Sequence, residues 1–245
     1  MSFIRLDIFL YERGDVSSRE KARALIKDGL VYVNGVRETK PGAGVNPLDL
    51  VELRGELPFV GRGGLKLQGA FERFNLDVAG KVCADVGAST GGFTDCLLQR
   101  GAARVYCIDA GSGQLDPKLA ADSRVVNLEN TNIRYIKKEQ ISEKIDFICV
   151  DVSFISLELV LNMVYNLLAA PGEAVCLIKP QFEAGRGKVG KNGVVRDEKI
   201  HKSVTEKIAS FSRSIGFSVM GLEPSPIKGG GGNAEFLIYL SKDIK

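Results

Sequence analysis

The sequence predicts an α/β protein, a parallel sheet covered by helices on both faces, preceded by a small α+β domain. Three observations predict it. From about residue 80 onward, short apolar runs alternate with helical patterns: Val82-Cys83-Ala84-Asp85-Val86, Val105-Tyr106-Cys107-Ile108-Asp109, Phe147-Ile148-Cys149-Val150 before Asp151, Val175-Cys176-Leu177-Ile178 before Lys179, and Phe217-Ser218-Val219-Met220. Strands that read as continuous apolar runs are those buried on both faces of a parallel sheet, here of Rossmann-like type. A glycine-rich turn from Gly87 to Gly92 follows the first of these strands and opens a helix, where such sheets bind ligands. The first 55 or so residues lack the alternation and carry helix and hairpin signals of their own.

In that first segment Leu6, Phe9 and Leu10 share one face of a short helix that ends by Gly14. Ser17, with Glu20 three positions later, predicts a capping box that opens a second helix. Ala22, Leu25 and Ile26 make its apolar stripe, while Arg19, Arg23 and Lys27 recur at i, i+4 and i+8 and give it one basic face. Gly29 stops the helix. Leu30-Val31-Tyr32-Val33 then runs into Asn34-Gly35, the strongest short hairpin signal, and Val36 starts the return strand. Leu48, Leu50 and Leu53 mark a closing strand. A basic stripe alone is the ordinary solvated side of an amphipathic helix. The whole arrangement, from Ser17-Ser18-Arg19 through Lys27 to Asn34-Gly35, resembles the small α-L RNA-binding module of a ribosomal small-subunit protein, bacterial tyrosyl-tRNA synthetases and pseudouridine synthases. That resemblance implies that Arg19, Arg23 and Lys27 face structured RNA. The expected organisation is an RNA-binding domain over 1–55, a linker over 56–62 and the sheet domain over 63–245.

Composition narrows the function classes. The chain has 245 residues with 44% hydrophobic content, enough for a sizeable core. No stretch reaches the roughly 18 uninterrupted apolar residues of a membrane span, and the opening residues lack the layout of a signal peptide, so a cytoplasmic protein without a membrane partner is expected. Five cysteines with no Cys-x-x-Cys pair read as reduced core residues, and a single histidine, His201, argues against a histidine metal site; no metal is expected. The net charge of +3 is too small to argue nucleic-acid binding by itself.

The turn Asp85-Val86-Gly87-Ala88-Ser89-Thr90-Gly91-Gly92 has three readings. As a dinucleotide fingerprint it is imperfect, because Ser89 replaces the second glycine. As a nucleophile elbow, Gly87-x-Ser89-x-Gly91 would use Asp151 and His201 as an α/β-hydrolase triad, but His201 lies in a charged helical start whose ordinary reading is a surface residue. As an S-adenosylmethionine site, the turn would embrace the methionine moiety while Asp109, ending the next strand, would accept bonds from ribose hydroxyls. A near miss to a phosphate loop, Gly185-x-x-x-x-Gly190-Lys191-Asn192, lacks the terminal Ser or Thr and reads as a mobile basic loop.

Four charged residues complete the pattern. Asp151 and Lys179 end apolar strands, Glu235 opens Phe236-Leu237-Ile238-Tyr239-Leu240 after four glycines, and Lys66 sits in Gly63-Gly64-Leu65-Lys66-Leu67. A parallel sheet is expected to deliver all four to one edge, where two ammonium groups and two carboxylates could position and deprotonate a hydroxyl. Each alone reads as a structural ion pair; four together beside a glycine turn read as a catalytic set.

With these residues in place the chain resembles the TlyA, or haemolysin A, family of FtsJ-like RNA methyltransferases. The matching stretches are Arg62 to Leu67, Asp85 to Phe93, Gly113 to Leu115, Thr131-Asn132, Asp151 to Ile155, Lys179 to Gly185 and Gly232 to Phe236. The chain departs from the family in its linker, Leu53-Arg54-Gly55-Glu56-Leu57-Pro58, which carries no tryptophan motif. The resemblance implies 2′-O-methylation of ribosomal RNA, typically at cytidine, with S-adenosylmethionine as donor. It places the catalytic Lys-Asp-Lys-Glu set at Lys66, Asp151, Lys179 and Glu235. Cofactor contacts fall at Asp85, Gly87, Ser89, Thr90, Gly91, Gly92 and Asp109. Lys179 is expected to be the general base, with Asp151 orienting it, Lys66 orienting the acceptor hydroxyl or its phosphate, and Glu235 fixing one lysine. The other classes considered are a non-catalytic RNA-binding assembly factor and, from the haemolysin name, a membrane-active protein; for the latter neither a span nor a strongly apolar amphipathic helix is visible.

Overall fold

The computed structural model describes residues 3–16, 18–55, 58–190 and 192–244. The chain forms two compact units, Met1–Arg62 and Gly63–Lys245.

In the first unit, strand β1 (Ile4–Arg5) leads directly into helix α1 (Leu6–Glu12), and α2 (Arg19–Lys27) follows. The cap of α2 is Ser18, whose hydroxyl accepts from the Lys21 amide at 3.1 Å. The helix thus starts one residue later than the expected box implies, and Lys21 rather than Glu20 stands three positions after the cap. Ser17 itself lies outside the described residues. Leu6 and Leu10 of α1 meet Ala22, Leu25 and Ile26 of α2 in a core that Val31, Val45 and Val51 complete.

Strands β2 (Val31–Val33) and β3 (Val36–Glu38) form the expected hairpin, its turn made by Asn34 and Gly35, both at positive φ as a type I′ turn requires. A short β4 (Gly44–Val45) pairs with β1, and β5 (Val51–Leu53) pairs with β2. Leu48 and Leu50, expected within the closing strand, precede it and stay exposed, at 86% and 62%. The reason is local: Asp49 and Asn46 bond back to nearby amides, and these side-chain turns bend the backbone away from the ladder.

The second unit opens with α3 (Gly63–Phe74), followed by β6 (Val82–Val86), α4 (Gly92–Gln99), β7 (Arg104–Ile108), α5 (Pro117–Ala120) and β8 (Val125–Leu128). Then come β9 (Ile145–Val150), α6 (Leu161–Leu167), β10 (Leu168–Ile178), α7 (Pro180–Glu183), α8 (Glu198–Ser214), β11 (Ser218–Pro224) and β12 (Phe236–Lys242). The seven strands order as β11-β12-β10-β9-β6-β7-β8. Five of them, β10 through β8, run parallel as expected. The expectation of a wholly parallel sheet fails at β12, which runs antiparallel to both its neighbours. Residues 225–235 are too few for a crossover, so β12 returns directly beside β11, and a direct return makes an antiparallel pair.

Apolar side chains of the central strands, among them Ala84, Ile108, Ile148, Cys176 and Ile178, pack with Leu161 of α6 and Val204 and Ile208 of α8 in one core. All five cysteines are buried and free. Burial pushes the Cys83, Cys107 and Cys176 thiols up to about 12. Among the described residues no helix is long and apolar enough to cross a membrane.

Candidate active site

Strands β7 and β8 lie on one side of β6, whereas β9 and β10 lie on the other. A reversal of this kind leaves a crevice at the carboxyl ends of the two central strands. There the structure has a cleft of about 1300 Å³, lined by Gly87, Ser89 and Asp109 on one side and by Asp151, Ser153 and Phe182 on the other. Val86, Ile108, Ile133, Val152 and Ile155 supply apolar wall.

Gly87 has φ +87°, and a Cβ there would come within 2.6 Å of the Asp151 carbonyl oxygen. Only glycine lets the turn lie this close to the end of β9. Just after β7, the Asp109 carboxylate accepts from the backbone amides of Ser89 and Gly111, each at 2.7 Å, and is thereby fixed at the cleft wall. Ser89 donates its hydroxyl proton to Gln114 at 3.1 Å.

Of the seven residues expected to contact a cofactor, Gly87, Ser89 and Asp109 line the cleft; Asp85, Thr90, Gly91 and Gly92 are not among its lining residues. Gly91 is the left-handed N-cap of α4, and a side chain there would run into Leu119. Asp85 is buried, with one oxygen accepting from the amide and hydroxyl of Thr94 at 2.9 and 2.7 Å and the other unpartnered. Burial pushes its carboxyl up to about 7, against the Thr94 bonds and with help from the negative charges of Asp151 and Asp109.

The four charged residues come together. Lys179 Nζ lies 2.6 Å from one oxygen of Asp151, Lys66 Nζ lies 3.4 Å from the other, and Lys66 Nζ lies 2.8 Å from Glu235. The result is an alternating chain, Lys179, Asp151, Lys66, Glu235, in which both lysines and the glutamate are buried. The route differs from the expected one in one respect: Lys66 is not carried by the sheet but projects from the first turn of α3. Lys179 also donates to the hydroxyl of Ser153 at 2.9 Å, and its ammonium sits 6.0 Å from the ring centre of Phe182.

Ser153, Gln114, Phe154 and Phe182 were not singled out as site residues by the sequence. Ser153 had a usable signal, its place two residues after Asp151 on the loop that leaves β9. Phe154 had none: it is 89% exposed, holds φ at +65°, and leans on Phe182 with ring centres 5.1 Å apart.

The hydrolase triad does not assemble. His201 lies on α8 with Nε2 3.0 Å from the Val195 carbonyl and its ring edge against Phe236, while the Ser89 hydroxyl is engaged by Gln114. Around the near-phosphate loop, a single 3-10 turn at Arg186–Lys188 stands where a phosphate loop would join strand to helix; its Lys191 lies outside the described residues. No group of three or more His, Cys, Asp or Glu side chains comes together as a metal site among the described residues.

In the first unit the basic face is organised around an acid. Asp7, fully buried, contacts Arg5 at 2.9 Å, Arg23 at 2.9 Å and Arg19 at 3.2 Å. Burial alone would raise its carboxyl, but the three guanidinium groups outweigh burial and hold it well below the usual carboxylate range. Lys27 is exposed on the last turn of α2, outside this cluster. The stripe expected from helical spacing is therefore two arginines drawn to Asp7, joined by Arg5, and a separate lysine.

A cofactor that combines an apolar ring system with vicinal hydroxyls fits this cleft. The apolar wall can hold the ring, and Asp109, pinned by two amides, keeps acceptor capacity for hydroxyls. The glycine turn admits close approach.

Residues 59–242 match the FtsJ-like methyltransferase family, and residues 4–51 match the S4 domain. The chain is 41% identical over 238 residues to the 16S/23S rRNA (cytidine-2'-O)-methyltransferase TlyA of Mycobacterium tuberculosis, covering 96% of this chain and 89% of that protein. It is also 41% identical to Hemolysin A of Brachyspira hyodysenteriae, covering 96% of this chain and 99% of the relative. A solved structure from Streptococcus thermophilus that carries a hemolysin name superimposes with a TM-score of 0.79 at 45% identity, covering 99% of this chain and 90% of that one.

Proposed function

Because the chain belongs to the FtsJ-like methyltransferase family, we propose that it transfers a methyl group from S-adenosylmethionine to the ribose 2′-hydroxyl of ribosomal RNA, at cytidine, in the cytoplasm. The observation that carries this reading is the alternating chain of Lys179, Asp151, Lys66 and Glu235 beside a cleft walled by Gly87, Ser89 and Asp109.

Bound in the cleft, S-adenosylmethionine would supply an electrophilic methyl group on a sulfonium. Asp109 would accept from its ribose hydroxyls, and the Gly87 turn would admit its methionine moiety. The remaining work belongs to the chain's own side chains. A ribose hydroxyl is a poor nucleophile until its proton leaves, so a base must stand within hydrogen-bond reach of it. Lys179 has that role, at the end of β10 and held by Asp151. Lys66, between Asp151 and Glu235, presents a fixed cation to the acceptor hydroxyl or its neighbouring phosphate. Because Lys66, Lys179 and Glu235 are buried, their charges act on the acceptor more strongly than exposed ones would. The S4 unit holds the RNA through phosphate contacts from Arg19, Arg23 and Lys27. An intact set of four charged groups favours this enzyme over a non-catalytic assembly factor.

The test is methyl transfer itself: purified protein, labelled S-adenosylmethionine and separated ribosomal subunits, followed by mapping of the modified ribose. Label at a cytidine 2′-oxygen is expected. In Lys179→Ala that label is expected to disappear while cofactor affinity stays near wild type. Transfer to a base nitrogen, or no transfer with tight RNA binding, would overturn the reading.

A further inference from the structure

We infer that Gln114 reads the ribose diol of S-adenosylmethionine together with Asp109, donating a carboxamide N–H to one of the diol oxygens. This rests on the reading of the cleft as the cofactor site, with Asp109 at its ribose end.

Gln114 belongs to the segment 109–116 between β7 and α5, and several contacts fasten that segment to the glycine turn. The Asp109 carboxylate accepts from Gly111 on its own segment and from Ser89 on the turn, and the Asp116 amide donates to the Thr90 carbonyl at 3.2 Å. A Cβ at Gly91 would lie 2.3 Å from Leu119 and 2.8 Å from Leu115, so these side chains lie directly on the turn. Ser89 makes a further join. It holds φ at +48°, a costly conformation for a residue with a side chain, and two bonds keep it there: its amide donates to Asp109 and its hydroxyl to Gln114 Oε1. The serine that spoils the dinucleotide pattern thus fixes the carboxamide of Gln114.

The direction of that carboxamide follows from its two neighbours. With Oε1 engaged by the Ser89 hydroxyl, Nε2 lies over Gly111, where a Cβ would be 2.0 Å from Nε2 and 3.2 Å from Asp109 Oδ1. Amide donor and carboxylate thus flank one point. The reverse orientation would set the carbonyl oxygen beside the Asp109 carboxylate, acceptor against acceptor. Among the described residues none accepts from Nε2, and Gln114 and Asp109 both line the cleft. A hydroxyl has one proton to give and two lone pairs to be met. Asp109 can take hydroxyl protons but has none to return, so a carboxylate alone leaves the lone pairs of a diol without a donor. Gln114 supplies one. An acid and a carboxamide side by side match a vicinal diol in both senses, as acceptor and as donor.

The test measures binding by calorimetry on the full-length protein, in wild type, Gln114→Ala and Asp109→Ala. The ligands are S-adenosylhomocysteine, which keeps the ribose and does not react, and its 2′-deoxy and 3′-deoxy analogues. Gln114→Ala is expected to weaken S-adenosylhomocysteine binding by about threefold to tenfold, the scale of one neutral hydrogen bond. For the deoxy analogue that lacks the oxygen Gln114 holds, the same substitution is expected to leave affinity unchanged. Loss of the side chain and loss of that hydroxyl then fail to add, which a merely structural role would not produce. Equal weakening for all three ligands would show that Gln114 only braces Ser89, and overturns the inference. So does unchanged affinity for S-adenosylhomocysteine in Gln114→Ala. If wild type does not bind S-adenosylhomocysteine, or Asp109→Ala binds it as tightly as wild type, the placement of the cofactor is overturned and the inference with it.

Discussion

Ile178 and Phe236 are partners in the antiparallel ladder between β10 and β12, and this pairing brings Lys179 and Glu235 to the same edge of the sheet. Lys179 follows Ile178 at the end of one strand, and Glu235 precedes Phe236 at the start of the other. A parallel β12 would have put Glu235 at the opposite edge. The reversed strand is therefore what closes the alternating chain of charges, with Lys66 entering from α3 between the two carboxylates.

The glycine run before β12 is fitted to that carboxylate. A Cβ at Gly229 would lie 1.9 Å from the nearer oxygen of Glu235 and 2.3 Å from its carboxyl carbon. Gly229→Ala should displace Glu235 from Lys66 and reduce kcat by roughly tenfold to a hundredfold, the scale on which a misplaced catalytic group acts, while leaving S-adenosylmethionine binding intact. Steady-state kinetics beside calorimetry decide it, and wild-type kcat in the variant would mean that Glu235 is not held there for catalysis.

Asp85 should make folding pH-dependent in a direction opposite to most carboxylates. Its carboxyl is pushed up to about 7 by burial in the folded protein, against about 3.9 in an unfolded chain. The folded state then binds the extra proton between those values, so its contribution to stability is present below about pH 4 and is lost as pH rises toward 7. At about 1.4 kcal/mol for each tenfold change in proton affinity, the loss is on the order of 4 kcal/mol. Asp85→Asn, which can still accept from Thr94, should remove this slope. Denaturant unfolding of both proteins at pH 4.5, 6 and 7.5 checks it, and parallel pH profiles for the two would refute it.

How legible all this was in the sequence depended on how much pattern each element carries. Val82–Val86 and Phe147–Val150 are buried on both faces and announce themselves as unbroken apolar runs. The edge strand β8 is half exposed and interrupted by Asn127, and β1 and β4 have two residues each, so none of the three has a readable period. Asp151, Lys179 and Glu235 were legible because a charge next to an apolar run marks a strand end. The partner that Lys66 would find was not, since a helix start says nothing of what lies across the sheet. The basic stripe shows the same limit. Spacing along α2 groups Arg19, Arg23 and Lys27, whereas Asp7, from a different helix, selects Arg19 and Arg23 and adds Arg5.

The unit Gly63–Lys245 contains the cleft and all four charged residues. A fragment of residues 63–245 should bind S-adenosylmethionine as the intact chain does and methylate RNA poorly, through a raised KM. Methylation equal to that of the whole protein would remove the S4 unit from the role of holding substrate.

Within the S4 unit, charge and geometry make opposite predictions for Asp7→Asn. The substitution makes the chain more positive, so if RNA were held by charge alone the variant should bind it more tightly. If instead Asp7 keeps Arg5, Arg19 and Arg23 pointing in set directions, a neutral amide with one acceptor oxygen releases at least one of them and binding to structured ribosomal RNA weakens. The geometric outcome is expected, together with a change in acid stability. Asp7 is held well below the ordinary carboxylate range, so the stability it confers is present above about pH 4 and is lost as pH falls below that. The variant should lack this acid loss. Filter binding at two salt concentrations, with circular dichroism from pH 2 to 7 to follow folding, tests both halves; tighter RNA binding by a folded Asp7→Asn would show that Asp7 only dilutes a basic surface.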